Sequence, residues 1–365
     1  MFYWAKLAIS DVICTTPFLD LWERWRGGHI AILAYHRVLP TGVSYLRRQM
    51  AISEVRFSQQ MAYLARHYRV ISLQEVPSLL KEKKAIPPKT VAITFDDGYS
   101  DNYHVAYPIL KRLGLPATIF LATDFVGGDK IPWWDELILL LEDPPEDLEK
   151  VKLAPSLYPA EIHQCLRKIH RSQRVANSPW ISHLITLLNH MPTGQREKIL
   201  IDLKRVLGMA RFSGKNLMLS WDQVQEMSKH GILFGAHTQS HAFLDELSEE
   251  GAFREMARSK EIIEEKTGKG VEAFSYPKGR VSPGIQELAC RLFSVACTAK
   301  VGINGSEQDP YLLKRIDVGE CHGWMGGFSE SLFVFTVSGM KETIREVVNV
   351  GGSRSKGIRG EGCVG

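Results

Sequence analysis

Residues Val91–Ser100 read VAITFDDGYS. The apolar run Val91–Phe95 has the β-branched and aromatic composition of a strand, and the Asp97-Gly98 step after it favours a turn. Two adjacent carboxylates at the mouth of a buried strand, Asp96 and Asp97, are costly unless a metal ion, a shared proton or a basic group offsets them. The pair therefore calls for a partner elsewhere in the chain.

Outward from this stretch, strand and helix alternate. Upstream, Ile30–Tyr35 (IAILAY) reads as a buried strand that delivers His36 at its end. A helix around Phe57–His67, a short strand Val70–Leu73 and a helix Gln74–Lys83 follow, with Pro77 tolerable in the first turn. Downstream, Tyr103–Leu113 reads as a helix stopped by Gly114, and Ala117–Ala122 as another strand. This alternation predicts an α/β fold with parallel strands.

The rhythm breaks over 126–217, where Glu136–Leu141, Pro159–Ile169, Ile181–Leu188 and Arg196–Leu207 have helical patterns punctuated by prolines. A stretch this long is a mostly helical insertion rather than a loop. Alternation resumes with a helix Trp221–His230, a strand Ile232–Gly235 and a solvated helix Glu249–Thr267. Strands Val271–Ser275, Ser294–Thr298 and Leu312–Val318, a helix Ser282–Phe293 and a closing helix Leu332–Arg345 complete the pattern. The expected organisation is an N-terminal helical segment (1–26), an α/β domain from 27–125 and 218–350, the insertion between, and a disordered tail (351–365).

Composition narrows the function. Of 365 residues, 44% are hydrophobic and 24% charged, which suits a packed globular chain. The formal net charge of +4 is too small to argue for nucleic acid, and no dense Lys/Arg block exists. The six cysteines form no C-x-x-C pair, so neither a zinc knuckle nor a disulfide framework is expected. No apolar run of about 18 residues is present, and 1–26 lacks the pattern of a signal peptide. A cytoplasmic protein is expected. The alternative for the N-terminal segment is peripheral contact with the inner membrane face through Phe2, Tyr3, Trp4, Phe18, Trp22 and Trp25.

Several strands end in groups a core would not choose: His36, Asp96/Asp97, His237/His241 and the Tyr276-Pro277 turn. In parallel α/β folds the C-terminal strand ends share one face, where active sites are built. His237 and His241 lie four positions apart with small or polar residues between, so both imidazoles can face one ion. With one carboxylate from Asp96 or Asp97 they make a two-histidine, one-aspartate set that suits a divalent metal, zinc first. The other carboxylate is then free to act as a base. Taken alone, each motif has an ordinary structural explanation. Their joint appearance directly after strands favours chemistry. Thr238 stands where a thermolysin-like site needs glutamate.

These residues resemble the NodB-like polysaccharide deacetylases, carbohydrate esterase family 4. Thr94–Gly98 (TFDDG) and His237–His241 (HTQSH) look like the first two family motifs. Pro116–Leu121 (PATIFL) and Phe274–Gly279 (FSYPKG) match further stretches in the expected order. The resemblance covers 30–125 and 218–320 and leaves the helical insertion unexplained. It implies a distorted, incomplete (β/α) barrel and a metal-dependent N-deacetylase acting on an N-acetylated sugar or polysaccharide. Carried over, Asp96 is the base, and Asp97, His237 and His241 bind the metal. The Tyr276-Pro277-Lys278 turn faces substrate, with the Lys278 N–H toward the oxyanion. Two departures stand out: Ser275 replaces the arginine of the third motif, and Lys278 replaces an aromatic. The acidic motif that braces that arginine is not recognisable, and no leucine-x-histidine motif supplies an acid near Arg315–Val318. Tyr35-His36-Arg37 resembles the first-strand Tyr-His motif of biofilm poly-N-acetylglucosamine deacetylases, which makes His36 the general acid, with His322 as competitor. Another C–N hydrolase on this scaffold and a non-catalytic glycan-binding protein are the alternatives.

Overall fold

A computed structural model describes residues 2–15, 21–22, 27–43, 50–81, 86–142, 159–170, 179–207 and 216–340. The expected tail 351–365, Phe18, Trp25 and the end of the closing helix lie outside the described residues.

Parallel strands form the centre. In chain order they are β1 (Ile30–Tyr35), β2 (Arg37–Leu39), β3 (Ala51–Ser53), β4 (Arg69–Ile71), β5 (Thr90–Phe95), β6 (Ala117–Leu121), β7 (Ile232–Ala236), β8 (Ala273–Ser275), β9 (Val295–Val301) and β10 (Leu313–Asp317). The order β1-β10-β9-β8-β7-β6-β5 closes on itself because β1 also pairs with β5 along its whole length, Ile30 opposite Thr90 through Tyr35 opposite Phe95. The ring is a distorted (β/α) barrel, one strand short of the eight of a complete one. The far edge of β5 is shared: its first half pairs with β4, its second half with β6.

Alternation along each strand builds two layers. Ile30 and Ile32, Ala92, Phe120, Ala273, Val295 and Leu313 pack into one interior cluster, while Ala31, Leu33, Val91, Ile93, Ile119 and Phe274 pack outward under the helices. That parity has a consequence at the C-terminal ends. Asp96, Ser275 and Arg315 lie an even number of residues beyond Ala92, Ala273 and Leu313, so they enter the barrel mouth from the inward face.

The helices are α1 (Phe2–Thr15), α2 (Glu54–His67), α3 (Val76–Lys81), α4 (Tyr107–Leu113), α5 (Trp133–Glu142), α6 (Ala160–His170), α7 (Pro179–Asn189), α8 (Thr193–Leu207), α9 (Trp221–Lys229), α10 (Glu249–Thr267), α11 (Pro283–Leu292) and α12 (Glu330–Val337). Helix α10 buries Ala252, Met256, Ser259 and Ile263 at helical spacing, so only its outer face is solvated. The stretch between the strand at Ile30 and the helix α2 holds two short strands, β2 and β3, that sequence periodicity does not reveal. Three residues each are too short to show it. The Gln74–Lys83 helix is a 3-10 turn, Leu73–Glu75, leading into α3, with Pro77 inside its first turn.

Helices α5 to α8 have a core of their own. Leu137, Ile138 and Leu141 meet Ile162 and Leu166, Leu184 and Leu188, and Ile199 and Leu203. The chain leaves and re-enters the barrel at one point. Gly127 N–H donates to the Leu219 carbonyl at 2.8 Å, and Leu219 N–H to the Gly98 carbonyl at 2.9 Å. The clip therefore also holds the Asp97-Gly98 turn. Gly98 has φ +81°, and a Cβ there would come within 2.7 Å of the Leu121 side chain, so only glycine fits.

At the N-terminus, α1 buries Leu7 in the main core and leaves Tyr3, Trp4, Ile9 and Val12 exposed. Trp4 stacks on Trp324 at 5.3 Å, and Tyr3 Oη–H donates to the His322 carbonyl.

Candidate active site

Asp97 follows β5, and His237 and His241 occupy a tight loop after β7. The three side chains converge, with one ligand atom from each lying within 4.8 Å of the others. Asp97 Oδ1 is 3.6 Å from His237 Nε2 and 3.5 Å from His241 Nε2. The other nitrogen of His237, Nδ1, is 2.6 Å from the Ser275 carbonyl. A carbonyl only accepts, so Nδ1 carries the proton and Nε2 presents a lone pair. Burial lowers the pKa of both imidazoles, His241 most, with His237 and the Lys278 ammonium adding to the effect there. Burial thus favours the neutral form of both rings over an ion pair with Asp97. With the Nε2 lone pair of His237 and the Nε2 of His241 turned toward the Asp97 carboxylate, the donor set fits a divalent metal.

The loop is held in unusual backbone geometry. Asp97 (φ 74°), Thr238 (φ 63°), His241 (φ 60°) and Lys278 (φ 58°) are four of the seven non-glycine residues with positive φ among those described. Such conformations cost on the order of 1–3 kcal/mol each and persist where surrounding structure enforces them. Glu255 on α10 does so here, accepting from the backbone N–H groups of Gln239 and Ser240 and from the Ser240 hydroxyl.

Asp96 has a different partner. Arg315 Nη1–H and Nη2–H donate to its two oxygens at 2.7 Å each, and both side chains are buried. Burial alone would raise the Asp96 pKa. The Arg315 guanidinium, helped by His237 and His36, overcomes this and holds the carboxyl well below the usual range. Arg315 Nη2–H also donates to Ser275 Oγ at 3.0 Å, and Nε–H to the Thr298 carbonyl at 3.1 Å. That carbonyl is available because β9 and β10 slip register: Leu313 lies opposite Cys297, but Arg315 lies opposite Val301. The guanidinium that position 275 lacks is supplied from β10. Sequence reasoning missed it. The available signal was an arginine two residues after Leu313 in a short strand, at an inward position.

His36 sits just after β1, partly buried, and its charge acts on Asp96. Its segment is anchored to the β5–α4 connection. The His36 carbonyl accepts from Asn102 Nδ2–H at 2.8 Å, while Arg37 Nε–H and Val38 N–H donate to Asp101. His322, the competing acid, is exposed near α1, with Nδ1 3.4 Å from the Gly326 carbonyl. Its backbone bridges Phe328 and accepts from the Tyr3 hydroxyl, so its contacts among the described residues lie away from the barrel mouth.

The Tyr276-Pro277-Lys278 segment divides. The Tyr276 ring is fully buried against Phe274, edge-on at 5.1 Å, so its side chain supports the turn from below and does not face substrate. The reason for this placement is strand parity. Tyr276 follows inward Ser275 and so points outward with Phe274. Lys278 instead places Nζ 5.3 Å over the Trp134 ring and acts on both metal-site histidines.

Trp134, at the start of α5, ties the insertion to the site. Its ring meets His241 edge-on at 4.7 Å, its Nε1–H donates to Tyr99 Oη, and Tyr99 Oη–H donates to Asp135 Oδ2. Between the insertion and the loops after β7 and β8 opens a cleft of about 1440 Å³, lined by His241 and Lys278 on one side and Trp133 and Arg196 on the other.

The family model described as "Polysaccharide deacetylase" matches residues 83–152 and 193–292. The Bacillus subtilis protein YxkH, assigned to the polysaccharide deacetylases, is 24% identical over 314 residues, covering 86% of this chain and 77% of that protein. A poly-β-1,6-N-acetyl-D-glucosamine N-deacetylase of Staphylococcus aureus is 36% identical over 83 residues, 22% of this chain and 28% of that one. Among solved structures, the Streptococcus pyogenes deacetylase PplD superposes with a TM-score of 0.52 at 21% identity, over 81% of this chain and 95% of that chain. IcaB from Ammonifex degensii gives 0.51 at 23% identity, over 80% and 92%. At these identities the structural matches establish a shared barrel fold.

Proposed function

We infer, from the match to the polysaccharide deacetylase family model and the similarity to YxkH, that this chain is a metal-dependent hydrolase removing the N-acetyl group from an amino sugar in a glycan or glycan precursor. One observation carries this reading: Asp97, His237 and His241 turn three buried ligand atoms toward one point, beside a carboxylate that another group keeps ionised.

Asp97, His237 and His241 would hold a divalent cation, zinc first, which would supply a Lewis acid for the amide carbonyl and lower the pKa of water. Asp96 takes the proton of the attacking water. Arg315 occupies one lone-pair direction on each Asp96 oxygen and leaves the others open to that proton. The Lys278 N–H, presented by the left-handed turn after Pro277, faces the developing oxyanion. His36, close enough to Asp96 to interact with its charge, gives its proton to the departing amine. The products are acetate and a free amino sugar.

The same reading extends to location. The exposed aromatic edge of α1, with Tyr3, Trp4 and neighbouring Trp324, supports peripheral contact with the cytoplasmic membrane face. Among the described residues no helix is long and apolar enough to cross a membrane.

Zinc-loaded protein should release acetate from N-acetylglucosamine oligomers, and Asp96→Asn should abolish release while still binding metal. Undiminished acetate release by the variant removes Asp96 as the base.

A further inference from the structure

Hydrolysis of a neutral acetamide accounts for the metal ligands, Asp96 and Arg315. It does not account for what lines the cleft beyond them. Arg196, on α8, is only 6% exposed and lines the cleft. Its guanidinium is held between the rings of Trp133, at 5.0 Å, and Phe243, at 4.8 Å. Nη2–H donates to Thr193 Oγ1 at 3.0 Å, whereas Nη1 has no hydrogen-bond partner among the described residues.

The nearby acids do not satisfy it. Glu246 and Glu197 act on its charge. Glu246, however, is engaged by the Thr193 N–H and hydroxyl and by Arg280, which also holds Asp245. The other cations of the cleft include Lys204, which pairs with Glu136, and Lys130, which pairs with Asp124. On the barrel side Lys278 carries its ammonium over Trp134, whose ring lies 5.7 Å from that of Trp133. Lys278 and Arg196, each against an aromatic ring, thus face the cleft from its two sides, with the Trp134–Trp133 pair between them.

A guanidinium with a donor to spare, stiffened by two ring faces, suits a carboxylate or phosphate, which accept two parallel N–H bonds. The volume of about 1440 Å³ exceeds the ~300–1,000 Å³ of common small-molecule pockets, so the anion need not be on the ring that loses its acetyl group. Resting on the deacetylase reading, we propose that the substrate is an anionic amino sugar. It is an N-acetylhexosamine that carries, or is linked to a unit that carries, a carboxylate or phosphate, and Arg196 binds that anion across the cleft from the metal site.

The test compares acetate release from three substrates: a neutral N-acetylglucosamine tetramer, a tetramer alternating N-acetylglucosamine with glucuronic acid, and N-acetylglucosamine 1-phosphate. At least one anionic substrate should exceed the neutral one in kcat/KM by about tenfold or more, with the advantage shrinking as salt rises. Preference for the second or third substrate separates the carboxylate source from the phosphate source. Arg196→Gln should remove the advantage, whereas Arg205→Gln, on the same helix with its side chain 73% exposed, should preserve it. Equal kcat/KM on neutral and anionic substrates, or an advantage intact in Arg196→Gln, overturns the proposal while the deacetylase reading stands. Calorimetric titration of the wild-type protein with the same sugars requires no variant to fold. Tighter binding of an anionic sugar without acetate from any substrate would sink the deacetylase reading and keep the anion site, and equal binding of all three would sink the anion site.

Discussion

At the barrel mouth, Asp96, Asp97, His237 and Arg315 are all buried, and every one of them faces another polar group of the same cluster. The helical insertion is built the other way. Its core joins Trp134, Leu137, Ile162, Leu184, Ile199 and similar apolar side chains, and Trp133 and Arg196 are among the residues it turns toward the cleft. Apolar packing is non-directional and tolerates exchange of residues of similar size, whereas a buried charge depends on one partner at one distance. The two regions should therefore respond differently to single substitutions. Removing one charge at the mouth should cost more, and damage function more directly, than removing one side chain from the insertion core.

The largest effect is expected from Arg315→Met. It leaves Asp96 buried without its guanidinium, which costs about 3–5 kcal/mol at neutral pH, and frees the proposed base to move, which should lower kcat by about 10² or more. Its pH signature is distinctive. In the wild type the depressed Asp96 pKa contributes stability that is present above the ordinary carboxyl pKa of about 4 and is lost as pH falls through the acid range. In Arg315→Met burial raises that pKa instead. The native state then holds the proton longer than the unfolded state, and stability falls as pH rises above about 4. Chemical denaturation of the two metal-free proteins from pH 3 to 8 reads both slopes. Parallel curves would show that Arg315 does not govern Asp96.

The same contrast explains what could be read in advance. Strand and helix alternation around Val91–Phe95 was enough for an α/β fold with parallel strands, and the resemblance to the deacetylases supplied the barrel that the ring of seven strands forms. Asp96, Asp97, His237 and His241 were legible because each follows a strand directly, and the fold brings strand ends together without further information. Arg315 was not. Its partnership depends on a register slip between β9 and β10 that no local pattern encodes. Nor was the direction of Tyr276, which strand parity turns into the core. In the insertion, helical spacing was visible in α5 to α8, but which faces meet is set by tertiary packing alone. The approach of Trp134 to His241 and the trapping of Arg196 between two rings therefore stayed hidden.

A second expected effect isolates one metal ligand. His241→Ala removes one of three ligand atoms but leaves Asp97 and His237, whose Nδ1–H remains fixed by Ser275. Bound zinc per chain after dialysis against a weak chelator should fall at least about tenfold relative to wild type. Full occupancy in the variant would mean that the metal is held elsewhere. Because the imidazole is buried and neutral, its loss should cost far less stability than loss of Arg315, which separates ligand removal from charge removal at the same mouth.

The smallest functional effect should come from the insertion core. Leu184 is fully buried among Ile162, Ile181 and Leu188, with no charged group in that cluster. Leu184→Ala loses the transfer energy of the side chain and leaves a cavity, about 2–5 kcal/mol in all. Since α5 to α8 have a core separate from the barrel's, that loss should fall on the insertion. The residues that follow β5 and β7 should still take up one cobalt, visible in its absorption spectrum, while the part of the tryptophan fluorescence that comes from Trp133, Trp134 and Trp180, three of eight tryptophans, reports a transition shifted to lower temperature. The two regions meet where Trp134 touches His241, so a modest loss of cobalt affinity is compatible with separate cores. Joint loss of cobalt binding and tryptophan signal in a single shifted transition would show instead that barrel and insertion fold as one cooperative unit.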